Sequence, residues 1–260
     1  MNKSKLKTVA VIDFGSQYTQ LIARRVRELN IYSKIFKHDI SINQLLENNI
    51  QCIILSGGPS SVYDKNSPKL NNKIIELDIP ILGVCYGLQL LIHNMGGKIS
   101  KGQIGEYGHS NIQHNKKNIL FDNIPNSINV WMSHADKVIE SSDDWEVIST
   151  SSNKIISAIS HNKKPFYGVQ FHPEVTHTEY GTQILKNFLF KVCNLETNWN
   201  AENFIKDSIN SIQNLVGNEE VICGLSGGVD SSVVATLLHR AIGKQSKAIF
   251  INHGLLRKNE

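Results

Sequence analysis

Three short stretches of the chain join reactive side chains to backbone that can present them. The first is Gly83-Val84-Cys85-Tyr86-Gly87. The apolar run Ile79 to Val84 reads as a strand, and Leu88 to Leu91 continue with helical spacing, so Cys85 sits on the turn between them. Flanking glycines relieve the crowding of such a turn. The following helix brings free amides and the positive end of its dipole near the sulfur, which favours a thiolate. A cysteine so placed is the attacking group of a hydrolase or transferase. The second stretch, His172-Pro173-Glu174, ends an apolar strand from Phe166 to Phe171. Residues two apart in extended backbone project to the same side, and proline keeps the preceding histidine extended. A carboxylate on one imidazole nitrogen then fixes the tautomer and leaves the other nitrogen for the thiol proton. The third stretch is Ser226-Gly227-Gly228-Val229-Asp230-Ser231-Ser232, between the strand Val221 to Leu225 and the helix-patterned Val233 to Ile242. Glycines admit a ligand closely, and hydroxyls with helix amides cradle phosphate. It lacks the Gly-Lys-Ser/Thr ending of the commoner phosphate loop.

These stretches need elements to position them. Thr8 to Gly15, Tyr32 to Phe36 and Cys52 to Ser56 read as buried strands, with helices near Tyr18 to Leu29 and Ile42 to Glu47. Apolar strands alternating with helices predict an α/β fold with a mostly parallel sheet covered by helices. Ligands of such sheets bind at the carboxyl ends of the strands, where both Gly57-Gly58-Pro59 and Cys85 fall. The Gly58 and Tyr86 amides are therefore the expected oxyanion site. Arg24, Arg25 and Arg27 read as a solvated helix face. The stretch 96–128 reads as turn-rich with short strands, Val130 to Asp136 as a strand entering a polar loop, and 145–160 as antiparallel strands.

The 260 residues are 40% hydrophobic and 19% charged, with a net charge of +4, and suit a soluble globular chain. The scattered lysines, the Lys116-Lys117 pair among them, argue against nucleic-acid binding. No apolar run reaches the about 18 residues that span a membrane. Cys52, Cys85, Cys193 and Cys223 have neither metal-site nor disulfide-framework spacing, so no metal site is expected. The start Met1 to Lys5 does not read as a signal peptide. The expected compartment is the reducing cytoplasm, where a free catalytic thiol persists.

Asp13-Phe14-Gly15-Ser16-Gln17-Tyr18, Gly83 to Gln89 and Gln170 to Thr178 resemble the class I glutamine amidotransferases, most of all the branch whose ammonia aminates xanthosine monophosphate (XMP). The resemblance implies a flavodoxin-like fold. It also implies that Cys85 attacks the glutamine carboxamide, that His172 is base and then acid, and that Glu174 orients it. A γ-glutamyl thioester forms, ammonia leaves, and water releases glutamate. The resemblance further assigns Gln89, Ser133, Ala135 and Asp136 to holding glutamine; relatives usually carry glycine at position 135.

Ser226 to Ser232 resembles the pyrophosphate loop of ATP pyrophosphatases, which adenylate a substrate oxygen and release diphosphate. This implies ATP and Mg²⁺ as co-substrate and ion, no prosthetic group, and glutamine, ATP and XMP as small-molecule partners. The polar Asn194 to Asn198 marks a boundary, giving an amidotransferase domain at 1–198 and the first part of a second α/β nucleotide-binding domain at 199–260. A homodimer formed through a domain beyond residue 260 is also implied. Asn252-His253-Gly254 stands where this branch usually has Asp-Asn-Gly. Two other readings stay open: an amidotransferase serving another acceptor, and a remnant that only binds or hydrolyses glutamine.

Overall fold

The computed structural model describes residues 6–101, 105–114 and 118–251. The start Met1 to Lys5, the Lys116-Lys117 pair and Asn252-His253-Gly254 lie outside the described residues. The chain divides into two compact units, Met1–Asn198 and Trp199–Glu260.

The first unit opens with β1 (Thr8–Asp13), α1 (Thr19–Glu28), β2 (Ser33–Lys37), α2 (Ile42–Glu47) and β3 (Ile50–Leu55). It continues with β4 (Ile81–Val84), α3 (Tyr86–Asn94), β5 (Lys98–Ser100), β6 (Glu106–Gln113), β7 (Ser127–His134) and β8 (Lys137–Glu140). β9 (Trp145–Ser151), β10 (Ile156–His161), β11 (Phe166–Val169) and α4 (Gly181–Lys186) complete it, the last running into a wider helical turn over Asn187–Val192. Nine strands form one sheet in the order β2-β1-β3-β4-β11-β10-β9-β6-β7. Pairing is parallel from β2 through to β11 and antiparallel from β11 to β7.

The apolar strands explain the parallel half. Along β1, Val9 and Val11 face one core with Ile22 and Val26 of α1 and Ile184 of α4, whereas Ala10 and Ile12 face a second with Leu45 of α2 and Leu88 and Leu91 of α3. Both faces are buried, so the strands need no polar alternation. In the antiparallel half, β6 has only one buried face, which is why Glu-Tyr-Gly-His-Ser-Asn-Ile-Gln forms an eight-residue strand inside a segment whose polar residues suggest turns.

The arginines of α1 divide. Arg24 is exposed and pairs with Glu28, as a solvated face requires. Arg25 instead donates from Nε to the Glu174 carbonyl at 2.9 Å, and Arg27 donates to the Ser33 carbonyl at 2.9 Å. Helical rotation places both beside the buried stripe of Ile22, Ala23 and Val26.

The second unit contains α5 (Ala201–Val216), β12 (Val221–Leu225), α6 (Val229–Ile242) and β13 (Ser246–Phe250). Asn200 caps α5 by accepting from the Asn203 amide at 2.7 Å. β12 and β13 pair in parallel, Val221 opposite Ser246 through Leu225 opposite Phe250.

Candidate active site

Register brings Cys85 and His172 together. β4 and β11 are adjacent parallel strands with Val84 opposite Val169, and the Cys85 amide donates to the Val169 carbonyl at 2.8 Å. Cys85 and His172 therefore leave the same end of neighbouring strands, although 87 positions separate them in sequence. Cys85 takes φ +51° and ψ −105°, a region that side chains with a Cβ rarely occupy. The surroundings enforce it. A Cβ on Gly83 would stand 2.6 Å from the Leu88 nitrogen, and one on Gly87 2.4 Å from the Leu55 carbonyl oxygen. Glycine at both positions is what lets α3 begin so close to β3 and β4.

The Cys85 sulfur lies 3.6 Å from the Ser133 carbonyl oxygen and accepts from the Gln170 amide, also at 3.6 Å. The His172 imidazole bonds the Cys85 side chain through one nitrogen. Its Nδ1 donates to Glu174 Oε1 at 2.8 Å. His172 is 3% exposed and Glu174 wholly buried. Burial is the largest single influence on His172 and would lower its pKa, but bonds to Cys85 and Glu174 and their charges outweigh it, raising the pKa from 6.5 to about 10. The ring thus holds a proton at neutral pH, between sulfur and carboxylate. Its backbone is pinned as well: the His172 amide donates to the Trp131 carbonyl at 3.0 Å, and Thr178 Oγ1 donates to the His172 carbonyl at 2.6 Å.

A cavity of about 680 Å³ opens on this pair. Gly58, Gln89, Ser133, Ala135 and Asp136 line it with Cys85 and His172. Gln89 reaches back from α3 to donate to the Asp136 carbonyl at 2.8 Å, which ties the 133–136 loop to the helix that follows the nucleophile. The Tyr86 side chain is buried and donates to the Pro68 carbonyl. Only its backbone amide is available to a ligand, since the first turn of a helix has no internal acceptor for its N–H groups.

Sequence reasoning missed several contributors. Gln170 sits beside the sulfur; a polar residue between Val169 and Phe171 of a buried strand is the signal that it needs a partner. The Tyr18 ring meets His172 edge-on with centroids 5.2 Å apart. Glu106, from the segment read as turns, reaches His134 of the 133–136 loop.

In the second unit, Ser226 to Ser232 forms the turn from β12 into α6. Gly227 has φ +84°. Ser231 Oγ accepts from the Ser226 amide at 3.2 Å and donates to the Gly228 carbonyl at 3.1 Å, and Ser232 Oγ donates to the same carbonyl at 2.9 Å. No side chain caps α6, so its first amides face outward from an exposed turn. The hydroxyls, the Asp230 carboxylate and the amides together suit a phosphate chain with a hard cation. Among the described residues no cluster of three or more histidine, cysteine or carboxylate side chains could hold a metal alone.

The family profile "Glutamine amidotransferase class-I" matches residues 10–192, and the profile "NAD synthase" matches 199–255. A glutamine-hydrolysing GMP synthase of Bacillus subtilis is 51% identical over 260 residues, the whole of this chain and 51% of the relative. That of Caldicellulosiruptor saccharolyticus is 50% identical over 252 residues, 97% of this chain and 49% of the relative. The chain thus spans about half the length of the curated relatives it matches. A Thermoplasma acidophilum crystal structure, provisionally assigned as one subunit of a GMP synthase, superposes with a TM-score of 0.63 at 28% identity, covering 78% of this chain and 98% of that one. With the elbow cysteine, the buried His-Glu pair and a profile match that runs from β1 past α4, the chain belongs to the class I glutamine amidotransferases.

Proposed function

We propose that residues 1–198 are the glutaminase domain, and 199–260 the first part of the ATP pyrophosphatase domain, of a glutamine-hydrolysing GMP synthase. The observation that carries the first half is the His172 imidazole held between Glu174 and Cys85 in a roomy cavity. The second half is supported by the order of the two profile matches and by about 50% identity across the whole chain.

In this reading the Cys85 sulfur attacks the side-chain carbonyl of glutamine. The Gly58 and Tyr86 amides take the oxyanion, and His172 gives its proton to the departing ammonia. The γ-glutamyl thioester is then opened by water that His172 deprotonates, releasing glutamate. Gln89, Ser133, Ala135 and Asp136 hold the amino acid, and Glu174 keeps the imidazole facing the sulfur. Backbone and hydroxyl groups of Ser226, Gly227, Gly228, Val229, Asp230, Ser231 and Ser232 hold the ATP phosphates. Asp230 and the hydroxyls supply oxygen donors for Mg²⁺, which neutralises phosphate charge when bound. The C2 oxygen of XMP is adenylated with release of diphosphate, and ammonia displaces AMP to give GMP. A homodimer and a cytoplasmic location accompany this reading.

The test has two arms. Glutamate release by this chain is expected to vanish in Cys85→Ala, and its retention would sink the glutaminase assignment. Diphosphate release by the product of the complete reading frame is expected with XMP and ATP. Release with deamido-NAD or aspartate instead would assign a different acceptor.

A further inference from the structure

Behind the glutamine loop lies a second buried acid–imidazole pair that the chemistry above does not use. Antiparallel register sets Glu106 of β6 directly opposite His134 of β7, and the two side chains are 7% and 5% exposed. Glu106 Oε1 accepts from Ser151 Oγ at 2.9 Å and Asn153 Nδ2 at 2.8 Å. Its other oxygen, Oε2, faces His134 Nε2 at 3.5 Å, and neither atom has another hydrogen-bond partner among the described residues. On the far side of the ring, Nδ1 lies 3.0 Å from the Asp136 carbonyl. A carbonyl only accepts, so Nδ1 must carry its hydrogen.

With Nδ1 already protonated, a bare Nε2 opposite a bare carboxylate oxygen would set two lone pairs against each other between two buried side chains, His134 lying in the wall of the cavity. One proton between Oε2 and Nε2 removes the conflict. We propose that Glu106 and His134 share this proton and act as the positioning pair of the glutamine loop, locking the His134 ring so that its Nδ1–H fixes the Asp136 peptide. The same carbonyl accepts from Gln89 Nε2 at 2.8 Å, so the pair, the loop and the helix behind Cys85 meet at one oxygen. The groups that face the pair are the Ser151 hydroxyl, the Asn153 amide, the Asp136 carbonyl and the charge of His172; burial first, and then that charge, lower the His134 pKa, so the ring does not take the shared proton outright. This inference rests on the glutaminase reading.

The test compares two substitutions of similar size on the glutaminase reaction of the 260-residue chain. Glu106→Gln places a permanent N–H where the shared proton lies; Glu106→Met places none. Glu106→Met is expected to raise the KM for glutamine about tenfold, the worth of one buried hydrogen bond, with a smaller change in kcat. Glu106→Gln is expected to restore KM and to remove the pH dependence of KM that loss of the shared proton gives the parent. An unchanged KM in Glu106→Met, or a rise in Glu106→Gln as large as that in Glu106→Met, would overturn the proposal. Imidazole ¹⁵N spectra of the parent give an answer without any variant. A hydrogen-bonded Nδ1–H on His134 is expected, and a ring protonated at Nε2 alone refutes it. Loss of glutamate release in Cys85→Ala keeps the glutaminase reading standing whichever way the pair is decided.

Discussion

Replacing Glu174 by glutamine isolates the charge that holds the His172 proton. His172 rises from 6.5 to about 10, and at 1.36 kcal/mol per pH unit its neighbours favour the imidazolium by about 5 kcal/mol net of burial. Cys85 and Glu174 divide that sum. Glutamine can keep an oxygen 2.8 Å from Nδ1, where Oε1 now sits, but it carries no charge. One adjacent opposite charge is worth about 1–3 pH units, so the imidazolium of the variant loses its proton that much earlier. A pKa raised by folding stabilises the native state fully below 6.5, and that contribution disappears as pH climbs through about 10. The parent's alkaline limb of kcat/KM for glutamate release is therefore expected near pH 10, with the variant's about 1–3 units lower. Urea unfolding supplies the second readout. Glu174 Oε2 is buried without a hydrogen-bond partner among the described residues, so an amide nitrogen there is stranded at a cost of about 1–3 kcal/mol. An alkaline limb that stays in place in the variant refutes the argument that Glu174 sustains the imidazolium.

Three further outcomes follow from the same geometry. Gly87→Ala, whose Cβ would press to 2.4 Å on the Leu55 carbonyl, is expected to lose at least about 2 kcal/mol of stability by urea titration. Cys85→Gly and Cys85→Ala are both expected to abolish glutamate release, and the glycine form is expected to be more stable by about 1 kcal/mol, because only it relaxes the strain at φ +51°; equal midpoints would count against strain at the elbow. Thr178→Val strips a hydroxyl that donates to the His172 carbonyl and accepts from the Trp131 amide at 3.0 Å. It is expected to cost about 2 kcal/mol in unfolding and to lower kcat.

How much of this was legible in the sequence depended on whether a signal was local. The elbow was, because strand pattern, paired glycines and helix pattern all fall between Ile79 and Leu91. His172-Pro173-Glu174 was legible for the same reason: the Nδ1–carboxylate bond spans two residues. The tertiary contacts of the half-buried Arg25 and Arg27 were not, since Arg25 meets its partner, the Glu174 carbonyl, 149 positions away. Nor was β6 as a long strand. One buried face needs few apolar side chains, and its Glu106 is satisfied by Ser151, Asn153 and His134, which no spacing links to it. The turn at 226–232 was readable because its hydrogen bonds run between Ser226, Gly228, Ser231 and Ser232.

The antiparallel half of the sheet has a role that its place in the strand order hides. β7 closes the sheet at the end opposite β2, and among the described residues no further strand pairs with its outer side. An exposed edge of that kind invites association with another strand. Here it is covered by the segment that carries the base. The His172 amide bonds the Trp131 carbonyl, the Trp131 amide bonds Thr178 Oγ1, the Glu179 amide bonds the Asn129 carbonyl, and the Asn129 amide bonds the Glu179 carboxylate. Residues 129 and 131 present these groups because alternate residues of a strand direct their backbone outward. Two positions further on, the Ser133 carbonyl oxygen lies 3.6 Å from the Cys85 sulfur. One strand edge thus sets the height of His172, the loop that lines the cavity and the resting contact of the nucleophile. A slip of one residue in β7 would turn all three away together, so the register of this edge strand is as much a determinant of the site as the strain at Cys85.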